Sequence, residues 1–366
     1  MKFSINKSEL LNALSVVQKG TSSRSTLPAL SGILVDAHED QITFQATDLE
    51  LSIQYDSIAL VEEPGRAVLP GKLFVDIVKN LPDMAVTVEA TDDFAVISCD
   101  STTFRIKALN ADDFPTFPHV DVSQKIEVPF DTFSSMVRRV ARVVSHDEAR
   151  AIITGVLVTL EGSTLRMVAT DSYRLAVTQT EVPQESAQDF SAVISGTFLQ
   201  DIAQLPRTEE PITLALAHNQ IVISYQSTVF INRRIEGNYP NYKQLLPNSY
   251  VTRATVSTSA LQAAVKRARL VGPTGGAVRI AVDADGQVLT LSATAHDVGS
   301  TTETVPVTCD GESAEIAFNC TYVEDGLRSV ETDEVYLDVQ SSQKPGILRA
   351  VGGEDFLYLI MPIRIS

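Results

Sequence analysis

The chain repeats itself at an interval of about 124 residues, and that period restricts its fold more than any motif it carries. Three landmarks recur in the same order. The first is an alternating strand running into an amphipathic helix: Lys2–Ile5 into Ser8–Gln18, Lys125–Val128 into Phe130–Ser145, and Ala254–Ser257 into Thr258–Val271. The second is Ala-Thr-Asp at a strand end, at Ala46-Thr47-Asp48 and Ala169-Thr170-Asp171, with a degenerate copy at Ala293-Thr294-Ala295-His296-Asp297. The third is a strand, a short break and another helix, at Val68–Ile77, Val193–Ile202 and Ile316–Asp325. Proline-bearing aromatic segments follow, Phe114–Pro118, Tyr239–Tyr242 and Tyr358–Pro362. A period this long marks a whole domain rather than a solenoid unit of about 20–45 residues. The expected fold is therefore α+β: three tandem helix-plus-sheet domains, 1–122, 123–249 and 250–366, each built from two helix-and-strands halves.

Composition narrows the function by exclusion. A hydrophobic content of 44% with 20% charged residues describes a folded, soluble chain. No run approaches the roughly 18 apolar residues of a membrane span, and Met1–Lys7 alternates without the apolar core of a secretory signal, so a cytoplasmic protein is expected. Cys99, Cys309 and Cys320 form no CxxC, and the five histidines form no HExxH, so neither disulfides nor a metal site is expected. GxSxG, GxGxxG and the Walker lysine motif are missing, and no cofactor is expected. Asp112 and Asp113, a pair in a proline-bounded loop without histidine support, leave a metal-dependent enzyme poorly founded.

With 29 basic and 46 acidic residues the net charge is −17, so the placement of the cations matters more than their number. Along the second-domain helix, Phe133, Met136, Val137, Val140 and Val144 form one apolar stripe. At about 100° per residue, Arg138, Arg139 and Arg142 fall at about 140°, 240° and 180° from Phe133, on the opposite side. The third-domain helix repeats this, with Leu261, Ala264, Val265 and Ala268 on one face and Lys266 and Arg267 on the other. Neither helix carries an acid among these cations. Segregated positive charge on an acidic body suits a polyanion held by its phosphates, without base readout.

These features together resemble a known family. Thr26-Leu27-Pro28, Ala46-Thr47-Asp48-Leu49-Glu50, Asp113-Phe114-Pro115, Thr170-Asp171-Ser172-Tyr173-Arg174-Leu175 and the ending Met361-Pro362-Ile363-Arg364 are similar to the bacterial DNA polymerase III beta subunit, the sliding clamp, over the whole chain. The resemblance implies a head-to-tail homodimer, a six-domain ring around double-stranded DNA with helices lining the hole. It implies no catalysis: the ring would tether the replicative polymerase, and a separate clamp loader would use the ATP. Arg24 matches the family's DNA-contacting loop arginine; His146 and Asp147 occupy another loop where the family touches DNA. The partner-peptide pocket would comprise Ile153, Thr170, Ser172, Tyr173, Arg174, Leu175, Pro240, Leu245, Asn319, Tyr322, Leu359, Ile360, Met361 and Pro362, serving polymerase, loader and other clamp-motif replication and repair proteins. Ser172 replaces a glycine common there, and Gln244 stands where an arginine is frequent. Dimer contacts would fall on Phe104, Ile106, Leu270 and Val271. Leu270 lies opposite its helix's apolar stripe, where a subunit interface would cover it.

Overall fold

The computed structural model describes every residue except 24, 121–124, 183–188, 218, 248, 272–275, 354 and 365–366. Six α-helices occur among the described residues, and each follows a strand directly. Strand Lys2–Asn6 leads into α1 (Lys7–Val17), Gly65–Pro70 into α2 (Gly71–Asn80), and Lys125–Pro129 into α3 (Phe130–Val140). Phe190–Ser195 leads into α4 (Gly196–Ile202), Thr252–Ser257 into α5 (Thr258–Val271), and Ala314–Asn319 into α6 (Cys320–Arg328). The strand–helix landmarks read from the sequence are thus real junctions. In each the apolar period changes from two to about 3.6 without a connecting loop.

The chain divides into two compact units. One comprises Met1–Pro129 with Glu209–Arg233, the other Phe130–Thr208 with Arg234–Ser366. The second sequence repeat is therefore shared between them. In the first unit, Thr228–Arg233 pairs antiparallel with Leu51–Ile58, from Thr228↔Tyr55 to Asn232↔Leu51, and joins strands of two repeats into one eight-stranded sheet. A separate five-stranded sheet ends at the edge strand Thr102–Lys107. Helices α1 and α2 pack together in this unit, burying Leu10, Leu14, Phe74 and Val78 completely.

In the second unit a twelve-stranded sheet is joined the same way. Arg174–Glu181 pairs with Phe356–Ile360, from Arg174↔Ile360 to Thr178↔Phe356. Helix α3 packs with α4, and α5 with α6. Phe133, Val137 and Val140 of α3 and Leu261, Ala264 and Val265 of α5 are at most 1% exposed. Each large apolar side chain so buried contributes about 1.5–3 kcal/mol.

One expected helix is too long. Helix α3 stops at Val140, and a 3₁₀ turn, Ala141–Val143, replaces the stretch expected to run on to Ser145. Phases of 100° per residue no longer hold there, so Arg142 does not lie where the helical wheel puts it.

Candidate functional site

The turn after strand Thr164–Thr170 explains why Ala-Thr-Asp recurs. Asp171 Oδ1 accepts from the backbone N–H of Tyr173 at 2.9 Å and of Arg174 at 3.0 Å. Thr170 Oγ1 accepts from Ser172 N–H and donates to the Arg174 carbonyl. In the first repeat Asp48 Oδ1 accepts from Glu50 and Leu51, and Thr47 Oγ1 accepts from Leu49. This side-chain closure holds the residue after the aspartate at φ 80° in Ser172 and 78° in Leu49, a left-handed geometry that favours glycine. A glycine preference at position 172 thus has a physical cause, and Ser172 meets it under strain.

The turn aims Arg174 inward and Tyr173 outward. Arg174 is 9% exposed. Its Nε donates to Asp171 Oδ2 at 2.9 Å and Nη1 to Asp325 Oδ2 at 2.6 Å and to the Tyr358 hydroxyl at 3.1 Å; Nη2 reaches the Arg142 carbonyl at 3.2 Å. Burial works against its charge, but Tyr358, Asp325 and Asp171 outweigh burial and hold its pKa above the usual arginine value. Its guanidinium also lies 4.4 Å from the Tyr322 ring centroid, and Tyr322 stacks with Tyr173 at 6.5 Å. The Met361 N–H donates to the Tyr173 carbonyl at 2.9 Å, and Ile363 N–H to the Ala317 carbonyl at 2.8 Å, fixing the C-terminal segment beside this stack.

The expected pocket residues separate into two layers. Tyr173 (60% exposed), Leu245 (53%), Met361 (41%), Ser172 and Pro240 reach the surface, with Tyr322, Asn319 and Pro362 half-buried. Ile153, Thr170, Arg174, Leu175, Leu359 and Ile360 are buried. Leu175 is closed to the surface: it packs with Leu359, Ile347 and Tyr242 in a cluster that the 239–246 segment covers. Asn319 accepts from Thr321 N–H as the cap of α6.

The basic helix face is also corrected. Arg138 is exposed, but Arg139 turns inward, its side chain 14% exposed. Arg139 forms ion pairs with Glu331 at 2.8 Å and Asp355 at 2.7 Å, which keep its charge despite burial. Arg142 donates its Nε to the Arg138 carbonyl, and burial lowers its pKa. On α5, Lys266 is exposed, whereas Arg267 is held by both oxygens of Glu303 at 2.8 and 2.7 Å. The face is acid-free in sequence but not in space. Glu303, Glu331 and Asp355 lie far along the chain, and no local pattern announces them. Arg24 lies outside the described residues. His146 is exposed, and Asp147 pairs with Arg150 at 2.9 Å, whose Nη1 donates to Ser172 Oγ.

Among the expected dimer residues, Leu270 is 80% exposed and Phe104 38%. Val271 is half-buried. Ile106, at 7% exposure, is buried within its own unit, on the edge strand Thr102–Lys107. Strand Gly299–Gly311 pairs with Val288–Ala295 through residues 299–306 and with Thr252–Val256 only through 307–311. Its first half therefore has one strand edge without a strand partner among the described residues. Among those residues there is also no cluster of three or more His, Cys, Asp or Glu able to hold a metal, and no helix long and apolar enough to cross a membrane.

Three family models match in tandem: the N-terminal domain of the DNA polymerase III beta subunit over residues 1–118, its central domain over 127–241 and its C-terminal domain over 243–364. The chain is also 33% identical over 373 residues to the beta sliding clamp of Synechococcus elongatus, with 100% of both chains covered. It belongs to the DNA polymerase III beta subunit family. The beta sliding clamp of Staphylococcus aureus is 30% identical over 375 residues, covering 100% of this chain and 99% of that one. The crystal structure of the Bacillus subtilis DNA polymerase sliding clamp matches with a TM-score of 0.95 at 28% identity, covering 100% of each chain. As in the rest of the beta subunit family, this is a non-catalytic processivity factor with three tandem domains.

Proposed function

We propose that two copies of this chain close head to tail into a six-domain ring around double-stranded DNA, without sequence specificity, and that the surface patch at Tyr173 and Met361 captures partner peptides. The observation that carries this reading is the tandem of three sliding-clamp domain matches over nearly the whole chain. The domains are 1–122, 123–249 and 250–366. The ring tethers the replicative polymerase and is opened by a clamp loader, and other clamp-motif replication and repair proteins use the same patch, all in the cytoplasm.

The dimer contact uses Phe104 and Leu270, with the edge strand Thr102–Lys107 and the unpartnered edge of Gly299–Gly311 supplying backbone donors and acceptors for antiparallel pairing. DNA phosphates meet Arg24, Arg138 and Lys266, with Arg142 and Arg267 beside them. Because topology retains the DNA, these contacts stay weak and salt-screened, which permits sliding. Peptides are anchored by Tyr173, Leu245 and Met361, an aromatic and flexible apolar surface that adapts to varied side chains. The test is native mass followed by retention on DNA. A species near 2 × 39.7 kDa that, once loaded, stays on nicked circles and runs off linear ends supports the ring. Equal retention on both substrates would sink it.

A further inference from the structure

The sheet face that carries Leu175 continues to a charged cleft that the peptide-capture reading does not use. Antiparallel partners place Leu175, Leu359, Ile347, Asp338 and Arg253 in one row across five strands. Directly paired residues point to the same face, so the row runs from beneath the Tyr173 patch to Arg253. At its far end lies a cleft of about 940 Å³ lined by Tyr250, Arg253, Tyr336, Asp338, Arg349 and Gly352, among others. A smaller cleft of about 320 Å³ shares Arg349 and reaches Tyr242 and Leu357 of the cluster under the patch.

The charges in the larger cleft do not balance. Asp338, 6% exposed, is gripped by Arg253, Nε to Oδ1 at 2.6 Å and Nη2 to Oδ2 at 2.7 Å. The Arg253 guanidinium is fixed between two rings, 4.1 Å from the Tyr250 centroid and 4.4 Å from that of Tyr336. Arg349 finds the same carboxylate already engaged. Its Nε stands 3.4 Å from Asp338 Oδ2, its side chain is 34% exposed, and it has no hydrogen bond among the described residues. Asp310, on the strand beside Arg253, accepts from the Tyr250 hydroxyl at 3.0 Å. Two guanidiniums thus face one buried carboxylate, only that of Arg253 held in place by hydrogen bonds, and the donors of Arg349 remain available to an anion.

We infer that this cleft takes the carboxylate of an acidic side chain on a partner peptide anchored at Tyr173 and Met361. The inference rests on the peptide-capture reading. Arg349 pairs with Leu357 and Leu357 with Val177, so Arg349 lies two strand spacings across and four residues along from Tyr173, about 16 Å. An extended peptide covers that in about five residues. The acidic residue therefore belongs about five positions from the apolar anchor.

The experiment is fluorescence anisotropy on the full chain at low salt. The probes are labelled peptides with a Leu-Phe pair joined through Gly-Ser-Gly-Ser to Asp-Asp or to Asn-Asn, made in both chain orders. In at least one order the Asp-Asp peptide should bind the parent about tenfold more tightly than its Asn-Asn twin. Arg349→Gln should abolish that advantage, Arg349→Lys should keep part of it, and Met361→Ala should weaken both peptides alike. Equal binding of the twins to the parent in both orders, or an advantage that survives Arg349→Gln, would overturn the acidic subsite alone. If no peptide binds the parent, the capture reading falls and takes the subsite with it.

Discussion

Arg174 ties the turn that carries Tyr173 to Asp325 and Tyr358, and Arg174→Met tests what that tie is worth. The substitution keeps a similar volume and removes the fork. It deletes two charge-assisted hydrogen bonds, to Asp171 and Asp325, each worth about 1.5–3 kcal/mol. The side chains of Asp171 and Asp325 keep 14% and 22% exposure, so water partly replaces the lost partner and the lower end applies. The Tyr358 hydroxyl, on a fully buried side chain, loses its donor as well. The sum is about 3 kcal/mol, near the low end for breaking a buried pair on one side. For a unit of this size that lowers Tm by about 6–12 °C. Differential scanning calorimetry and urea titration measure it. Asp325→Asn in the Arg174→Met background should cost at least about 1 kcal/mol less than it does in the parent, because the unpaired charge it removes exists only after the first change. A single variant within about 1 kcal/mol of the parent, with additive double-mutant energies, would refute the reasoning.

Leu270→Lys places a charge at the proposed subunit contact and should dissociate the dimer, seen as monomer by sedimentation at concentrations where the parent is dimeric. Arg138→Glu with Lys266→Glu should shorten residence on circular DNA at low salt while leaving melting unchanged, since both side chains are exposed; Arg139→Glu should instead destabilise the fold by opposing Glu331 and Asp355. Met361→Ala should weaken an apolar-anchored peptide about tenfold with the dimer intact, a loss of about 1.4 kcal/mol; unchanged affinity removes Met361 from the patch. Burial opposes the charge of Glu331, but Ser135 and Arg139 outweigh it and depress its pKa below the ordinary 4.5. A depressed carboxylate stabilises the fold above pH 4.5 and loses that effect as the pH falls through its folded value. The stability gap between the parent and Glu331→Gln should therefore be widest near pH 7 and narrow as the pH falls below 4.5; a gap that stays the same across that fall removes the ion pair from the account.

How much of this was legible beforehand differs by element. Helix α5 spans Thr258–Val271, as its apolar period indicates, because that period records a single buried face along continuous chain. The outward placement of Leu270 follows from the same arithmetic. Helix α3 was overextended because the switch to a 3₁₀ turn at Ala141 leaves the hydrophobic spacing nearly unchanged. The recurrence of Thr-Asp before a strained position was visible as a repeat, but only the hydrogen bonds of Asp48 and Asp171 supply its cause.

The sequence by itself determined the repeat, the strand–helix junctions and the family, since each depends on local periodicity or on short motifs. Tertiary structure alone decided which arginines stay free and which patch residues stay open. Arg139 meets Glu331 and Asp355 across 192 and 216 residues, and Leu175 is closed off by a segment near Tyr242. Such pairings depend on which strands and helices become neighbours. A helical wheel gives the direction of a side chain from its own axis, whereas the carboxylate or ring that meets it there is supplied by the fold.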